Sequence, residues 1–170
     1  MFTLYSADFT GNPGNCSYPH KTVVMNTDNL REAVCHDYVC AEYKNHYRNG
    51  ENFISADCLP VDCDNDHSED PKDWVTPADV LEAFPGVSIA IHYSRFNNRE
   101  KNGKPARPKF HVLFPIDRMT DATLYSDMKK LVNSIFPYFD TKALDAARFF
   151  FGTQEPNVEL YPGRMNLTEF

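Results

Sequence analysis

A chain of 170 residues is the length of one domain and can bury a sizeable core. Its 24 acidic and 17 basic side chains give a net charge of −7, which argues against a surface uniformly suited to coating nucleic acid. No stretch approaches the apolar length of a membrane span. The opening Phe2-Thr-Leu-Tyr5 lacks a basic start and a long apolar run, so a cytoplasmic protein without a secretory leader is expected.

In chain order, residues 1–20 read as irregular, rich in Gly, Asn, Pro and Tyr. Lys21–Met25 is a short strand. Thr27 or Asp28 then caps a helix to about Asn45, with Leu30, Val34, Tyr38 and Ala41 on one face. Asn49-Gly-Glu51 turns into a largely apolar strand ending at Cys63, and a polar loop follows over 64–75. Thr76-Pro-Ala-Asp79 is a helix start with a box-like cap, and that helix ends before Pro85-Gly86. Ser88–Arg95 and Lys109–Phe114 are strands joined by a long loop. Thr120 or Asp121 opens a helix with Leu124, Met128, Leu131, Val132 and Ile135 as its apolar face. Tyr138–Asp140 and Arg148–Phe151 are short extended pieces, and Phe149–Phe151 reads as core. The pattern predicts one α+β domain over 1–170, with a mostly antiparallel central sheet and flanking helices.

The chemistry concentrates at Val61-Asp-Cys-Asp64. Side chains alternate along a strand, so Asp62 and Asp64 share a face and Cys63 points away. Two adjacent carboxylates repel unless a cation neutralises them, and hard oxygen donors suit Mg²⁺ or Mn²⁺. A calcium loop starting at Asp62 would need Gly where His67 stands and an apolar residue where Glu69 stands. The cysteine pairs Cys35/Cys40 and Cys58/Cys63 have four residues between them, a poor fit to common zinc spacing, and five free thiols are expected.

Charge is unevenly distributed. Residues 57–82 hold nine acids and one Lys, whereas residues 95–109 hold six Lys or Arg and one Glu. An acidic cluster for metal beside a basic loop for phosphate suits a phosphate-handling site. Lys109 and His111 share a strand face by the same alternation. His92 reads as sheet packing and His67 as loop.

The ordered set V-D-C-D at 61–64, K-F-H at 109–111 and F-D at 139–140, with Asp145-Ala-Ala-Arg148 following, resembles the archaeo-eukaryotic primase (AEP) superfamily. The similarity is to the primase-polymerase form of phages, plasmids and integrative elements, and it covers about residues 20–162. Lys109 departs from the pattern, which usually has Ser there. The resemblance implies an RRM-like catalytic core and a template-directed nucleotidyltransferase, a DNA primase/polymerase of a mobile element. It implies two Mg²⁺ or Mn²⁺ ions on Asp62, Asp64 and Asp140, with Asp145 as the alternative third ligand. His111 would act at the incoming triphosphate, with Lys109, Arg148 and Arg95 adding positive charge. Arg99, Lys101, Lys104 and Arg107 would contact nucleic acid. The implied partners are DNA template and primer, nucleoside triphosphates, and a helicase, fused or separate, with no membrane. Two other classes stand beside this one. A rolling-circle initiation nuclease wants His-x-His, which the chain lacks. A non-catalytic nucleic-acid or nucleotide-binding module would not need three gathered carboxylates.

Overall fold

Period-two burial along the long strands sets the architecture. The computed structural model describes residues 1–101 and 103–170. The strands are β1 (Phe2–Ser6), β2 (His20–Val24), β3 (Tyr38–Val39), β4 (Ala41–Tyr43), β5 (Phe53–Cys63), β6 (Ile89–Tyr93), β7 (Phe110–Met119), β8 (Phe149–Phe150) and β9 (Val158–Tyr161). The helices are α1 (Thr27–Val34), α2 (Pro77–Ala83) and α3 (Ala122–Ile135). The strands form two antiparallel sheets, in the orders β2-β1-β3-β8 and β4-β5-β7-β6-β9.

The larger sheet is buried on both faces. Leu59, Val61, Cys63, Phe110, Val112, Phe114, Ile89 and Ile91 pack with Val80, Phe84, Tyr125, Val132 and Phe136 of the α2 and α3 side. Cys58, Ala90 and Leu113 point the other way and pack with Phe2, Leu4, Leu30, Val34, Tyr38 and Phe150 of the smaller sheet and α1. The expected opposition of Cys63 to its flanking aspartates follows from this alternation.

Three expectations are corrected. Residues 2–6 are a fully buried strand, FTLYS, not irregular chain. Helix α1 is capped by Asn26, whose side chain accepts from the Asn29 N–H, and it stops at Val34. Tyr38 and Ala41 therefore lie on strands. The early stop is fixed by Asp37, a buried carboxylate accepting N–H bonds from Gly11, Asn12 and Gly152 at 2.8–2.9 Å. Those bonds bend the chain and release Tyr38-Val39 to pair between β1 and β8. Helix α3 buries Tyr125, Lys129 and Val132, while Leu124, Leu131 and Ile135 are exposed. Lys129 can occupy the buried stripe because its ammonium lies 4.8 Å from the Tyr125 ring centroid and donates to the Asp145 carbonyl at 2.8 Å.

The capping box at Thr76 and Asp79 forms as expected. No helix among the described residues is long and apolar enough to cross a membrane.

Replacing Asp37 with Ala would leave three backbone donors without their carboxylate. Unfolding in urea should show a loss of about 3 kcal/mol or more. A midpoint unchanged from the native protein would remove Asp37 from this role.

Candidate active site

The site grows from an unpaired stretch of strand edge. β5 pairs with β4 only over Phe53–Ala56, and with β7 from Ala56 to Cys63. Beyond Ala56 one edge of β5 has no strand neighbour among the described residues. Pro60, which lacks an N–H, is tolerated inside the strand because its nitrogen faces that edge. Carbonyls on the same edge are met by other donors. The Tyr125 hydroxyl donates to the Cys58 carbonyl at 2.7 Å, and the Asp140 N–H donates to the Asp62 carbonyl at 2.7 Å.

That last bond brings the distant Asp140 beside the D-x-D pair. One carboxylate oxygen from each of Asp62, Asp64 and Asp140 lies within 4.8 Å of the other two. Asp145 is not in this group. Its carboxylate accepts the Ala147 N–H at 2.8 Å and its carbonyl accepts from Lys129, so it shapes the approach to Arg148 instead. Asp140 also caps the short 3-10 turn Thr141–Ala143 by accepting the Lys142 N–H at 2.9 Å.

The electrostatics are those of an under-neutralised acidic site. Burial first, and then the charge of Asp64, push the Asp62 pKa up to about 7; Arg148 and Lys109 oppose the rise and Asp140 adds to it. The nearest basic nitrogen to its carboxylate is Nε2 of His111, at 3.8 Å. Lys109 is only 4% exposed, and its ammonium donates to Asp64 Oδ1 at 2.9 Å. Three hard carboxylates, one of them buried with its ionised form disfavoured, fit a divalent cation by both charge and donor chemistry.

His111 lies opposite Asp62 on β7, and His92 lies opposite His111 on β6, so the three side chains form one row across the sheet. Burial lowers the His111 pKa to about 3, and Asp64 only partly offsets this, so the ring is neutral at pH 7. Arg148 makes one long bond, from Nη1 to the Lys142 carbonyl at 3.4 Å, and its Nε is buried without a hydrogen-bond partner among the described residues. Its charge is felt at Asp62, His111 and Lys129, and it forms no ion pair among the described residues.

The basic segment divides in two; Asn102 within it lies outside the described residues. Arg95 and Arg99 line a cavity of about 510 Å³ together with Tyr93, Asn97, Thr153 and Gln154. The Arg95 guanidinium lies 4.0 Å from the Phe151 ring centroid, while Phe150 points into the core. Lys101 lies over the Phe96 ring at 4.6 Å, and Lys104 pairs with Asp66 at 3.4 Å. Arg107 is the clear correction. It has no exposed surface, and it donates to the Asn65 carbonyl at 2.8 Å and to Glu69 at 3.0 Å, with its guanidinium 5.5 Å from the Trp74 ring centroid. It fastens the acidic loop and cannot meet nucleic acid.

The sequence pattern missed Tyr38, His92 and Thr153 as neighbours of the site. The Tyr38 hydroxyl lies 3.0 Å from Nδ1 of both His92 and His111, and Nε2 of His92 lies 3.1 Å from the Thr153 hydroxyl. A polar ring in the apolar strand that precedes the His111 strand was a usable signal for His92, whereas nothing local marked Tyr38.

The fold is thus antiparallel α+β, with an acidic pair at a strand end, a histidine on the adjacent strand and a third aspartate after the last helix. Among solved structures, the chain is similar to the AEP domain of the cyanophage S-2L primase-polymerase (PrimPol), with a TM-score of 0.51 and 12% identity over 95% of this chain and 81% of that one. The resemblance read from the three motifs therefore holds at the level of fold. Neither a family model nor a curated protein sequence matches the chain.

A carboxyl group whose pKa is raised by folding costs stability once it ionises. For Asp62 that cost is absent below the unfolded value near 4 and grows as pH rises to about 7. In metal-free buffer, Asp62→Asn should therefore match the native protein at pH 4 and exceed it in thermal stability at pH 8, with an upper bound of about 4 kcal/mol. Adding Mn²⁺ at pH 8 should close the gap by stabilising only the native protein. Parallel melting curves across this range would show that the carboxylate is not strained in the fold.

Proposed function

We propose that the protein is a template-directed nucleotidyltransferase that extends, and in its full context initiates, DNA strands as a primase-polymerase. The observation carrying this reading is the convergence of Asp62, Asp64 and Asp140 beside Lys109, His111 and Arg148 on an AEP-type fold. Two divalent cations, Mg²⁺ or Mn²⁺, bound by the three carboxylates would lower the pKa of a primer 3′-hydroxyl and neutralise charge on the triphosphate.

The protein groups take distinct parts. Lys109 holds Asp64 in place and supplies one positive charge at the rim, so its pairing explains why a cation stands where the superfamily usually has Ser. His111 presents Nε2 towards the site and meets a phosphate oxygen. Arg148, with a buried unpartnered nitrogen, binds the triphosphate. Arg95, Arg99 and the 510 Å³ cavity take template or nucleotide phosphate, with Lys101 and Lys104 at the margin. The work is cytoplasmic, on the DNA of a mobile element, and a helicase would open the template.

Primer extension with Mn²⁺ tests the reading. Asp62→Asn, Asp64→Asn and Asp140→Asn should each lower the rate by at least about a hundredfold, the low end for losing electrostatic stabilisation of a transition state. Asp145→Asn should lower it far less. His111→Ala should raise the apparent KM for nucleotide more than it lowers kcat, as expected for a contact made equally in the ground and transition states. Full activity in a folded Asp62→Asn protein would exclude the site from catalysis.

Neutralising Arg95 and Arg99 should weaken single-stranded DNA binding and flatten its salt dependence by about 0.7 log unit for each phosphate no longer neutralised. Arg107→Ala should lower the melting temperature instead, because its partners are all protein groups. An unchanged salt slope in the Arg95/Arg99 variant would place the DNA elsewhere.

A further inference from the structure

The buried group behind His111 has only one consistent hydrogen-bonding pattern. Tyr38, His92 and His111 are all at least nine-tenths buried. The Tyr38 hydroxyl lies 3.0 Å from Nδ1 of each histidine, and the two Nδ1 atoms are 3.3 Å apart. A phenol has one proton to donate and accepts through its lone pairs, while a neutral imidazole carries a proton on one nitrogen only. Were both Nδ1 atoms protonated, two N–H groups would collide and the phenol proton would be stranded. Were both bare, two lone pairs would face each other and only one could be satisfied. One ring must therefore carry Nδ1–H and the other a bare Nδ1.

The ends of the chain decide which. Nε2 of His111 faces the Asp62 carboxylate at 3.8 Å, in a site built from three carboxylates. With a divalent cation or a phosphate in the site, the groups facing Nε2 are anionic oxygens that accept and do not donate, so Nε2 of His111 carries the proton and its Nδ1 is bare. At the other end, the Thr153 hydroxyl can donate to Nε2 of His92 over 3.1 Å. The chain then runs in one direction, Thr153 O–H to His92 Nε2, His92 Nδ1–H to Tyr38 Oη and Tyr38 O–H to His111 Nδ1, and leaves His111 Nε2–H free to donate to an anion entering the site.

We propose that Tyr38, His92 and Thr153 are positioning residues that lock His111 as its Nε2–H tautomer, so that it offers the site a hydrogen-bond donor and not a metal-ligating lone pair. The identity of the anion as a nucleotide phosphate rests on the polymerase reading, but the tautomer does not. Phe150 supports the arrangement by stacking on Tyr38 at 5.6 Å and packing against His111 at 4.7 Å between ring centroids.

The tautomer is read directly by long-range ¹H–¹⁵N correlation on the whole protein labelled at histidine, with signals assigned by His92→Asn and His111→Gln. His111 should show a pyridine-type Nδ1 and a pyrrole-type Nε2, and His92 the reverse. A pyrrole-type Nδ1 at His111 would overturn the proposal. Tyr38→Phe keeps the ring on Phe150 and removes only the hydroxyl. It should convert His111 to a mixture of tautomers and weaken Mg²⁺·dATP binding by about tenfold, the loss of one hydrogen bond to a charged group, with kcat changed much less. His92→Asn retains an N–H near the Nδ1 position and should bind dATP nearly as the native protein does; His92→Leu should not. Native dATP affinity in both Tyr38→Phe and His92→Leu would also overturn the proposal. Should Tyr38→Phe fail to fold, the native spectrum and the His92 pair still decide it. A native protein with the expected His111 spectrum but no primer extension would sink the polymerase reading and leave the tautomer standing.

Discussion

A single backbone hydrogen bond, from the Asp140 N–H to the Asp62 carbonyl at 2.7 Å, holds the site together. It exists because β5 has a bare edge beyond Ala56, where β4 stops pairing. A strand neighbour there would have taken the Asp62 carbonyl and excluded Asp140. Pro60 works in the same direction, since a residue without an N–H on that edge cannot complete a ladder with a further strand. The edge is occupied by side-chain and loop donors instead, Tyr125 at Cys58 and Asp140 at Asp62. Stability of the α3 region and assembly of the acidic trio are thus coupled through one strand edge.

Burial gives this trio its chemical character. Three exposed carboxylates would be screened by water and would need no cation. Here Asp62 sits at the end of the interface between the two sheets, in a row with two neutral histidines, and desolvation is the largest influence on its pKa. Lys109 pairs with Asp64 and only partly offsets the rise at Asp62. The fold therefore leaves charge at one point, which is what a divalent ion can relieve. The same burial lowers the His111 pKa to about 3, so the ring adds no positive charge to the site at pH 7. Positive charge near Asp62 comes from Arg148 and Lys109, and the Arg148 Nε is buried without a hydrogen-bond partner among the described residues.

Much of this was legible in the chain, and the failures have physical causes. Alternation along β5 and β7 placed Asp62, Asp64, Lys109 and His111 on one face, because period two is a property of the strand itself. Asp140 was reached only through the resemblance of its motif, since its position depends on a hydrogen bond between elements far apart in sequence. The segment 27–45 read as one long helix because Leu30, Val34, Tyr38 and Ala41 keep helical spacing. The Asp37 carboxylate overrides that spacing through partners at Gly11, Asn12 and Gly152, which no local window contains. The buried face of α3 was misjudged because hydrophobicity alone ranks Leu131 above Lys129. The structure buries the lysine by giving its ammonium a carbonyl and an aromatic ring, and leaves the leucine in water.

The basic segment shows most plainly why charge counts cannot stand in for geometry. Six cations between Arg95 and Lys109 read as one phosphate-tracking loop. Its C-terminal half pairs with protein groups: Lys104 with Asp66 at the surface, Arg107 with Asn65, Glu69 and Trp74 in the interior, and Lys109 with Asp64. These contacts tie the acidic loop that follows β5 to the start of β7, and so fix the angle at which Asp64 leaves the strand. In the N-terminal half, Arg95 and Arg99 line the cavity. The excess acids of residues 57–82 and the excess bases of 95–109 are therefore partly one another's partners. The cavity lining sets Arg95 and Arg99 against the one carboxylate of Glu155, so it is locally basic in a protein whose net charge is −7.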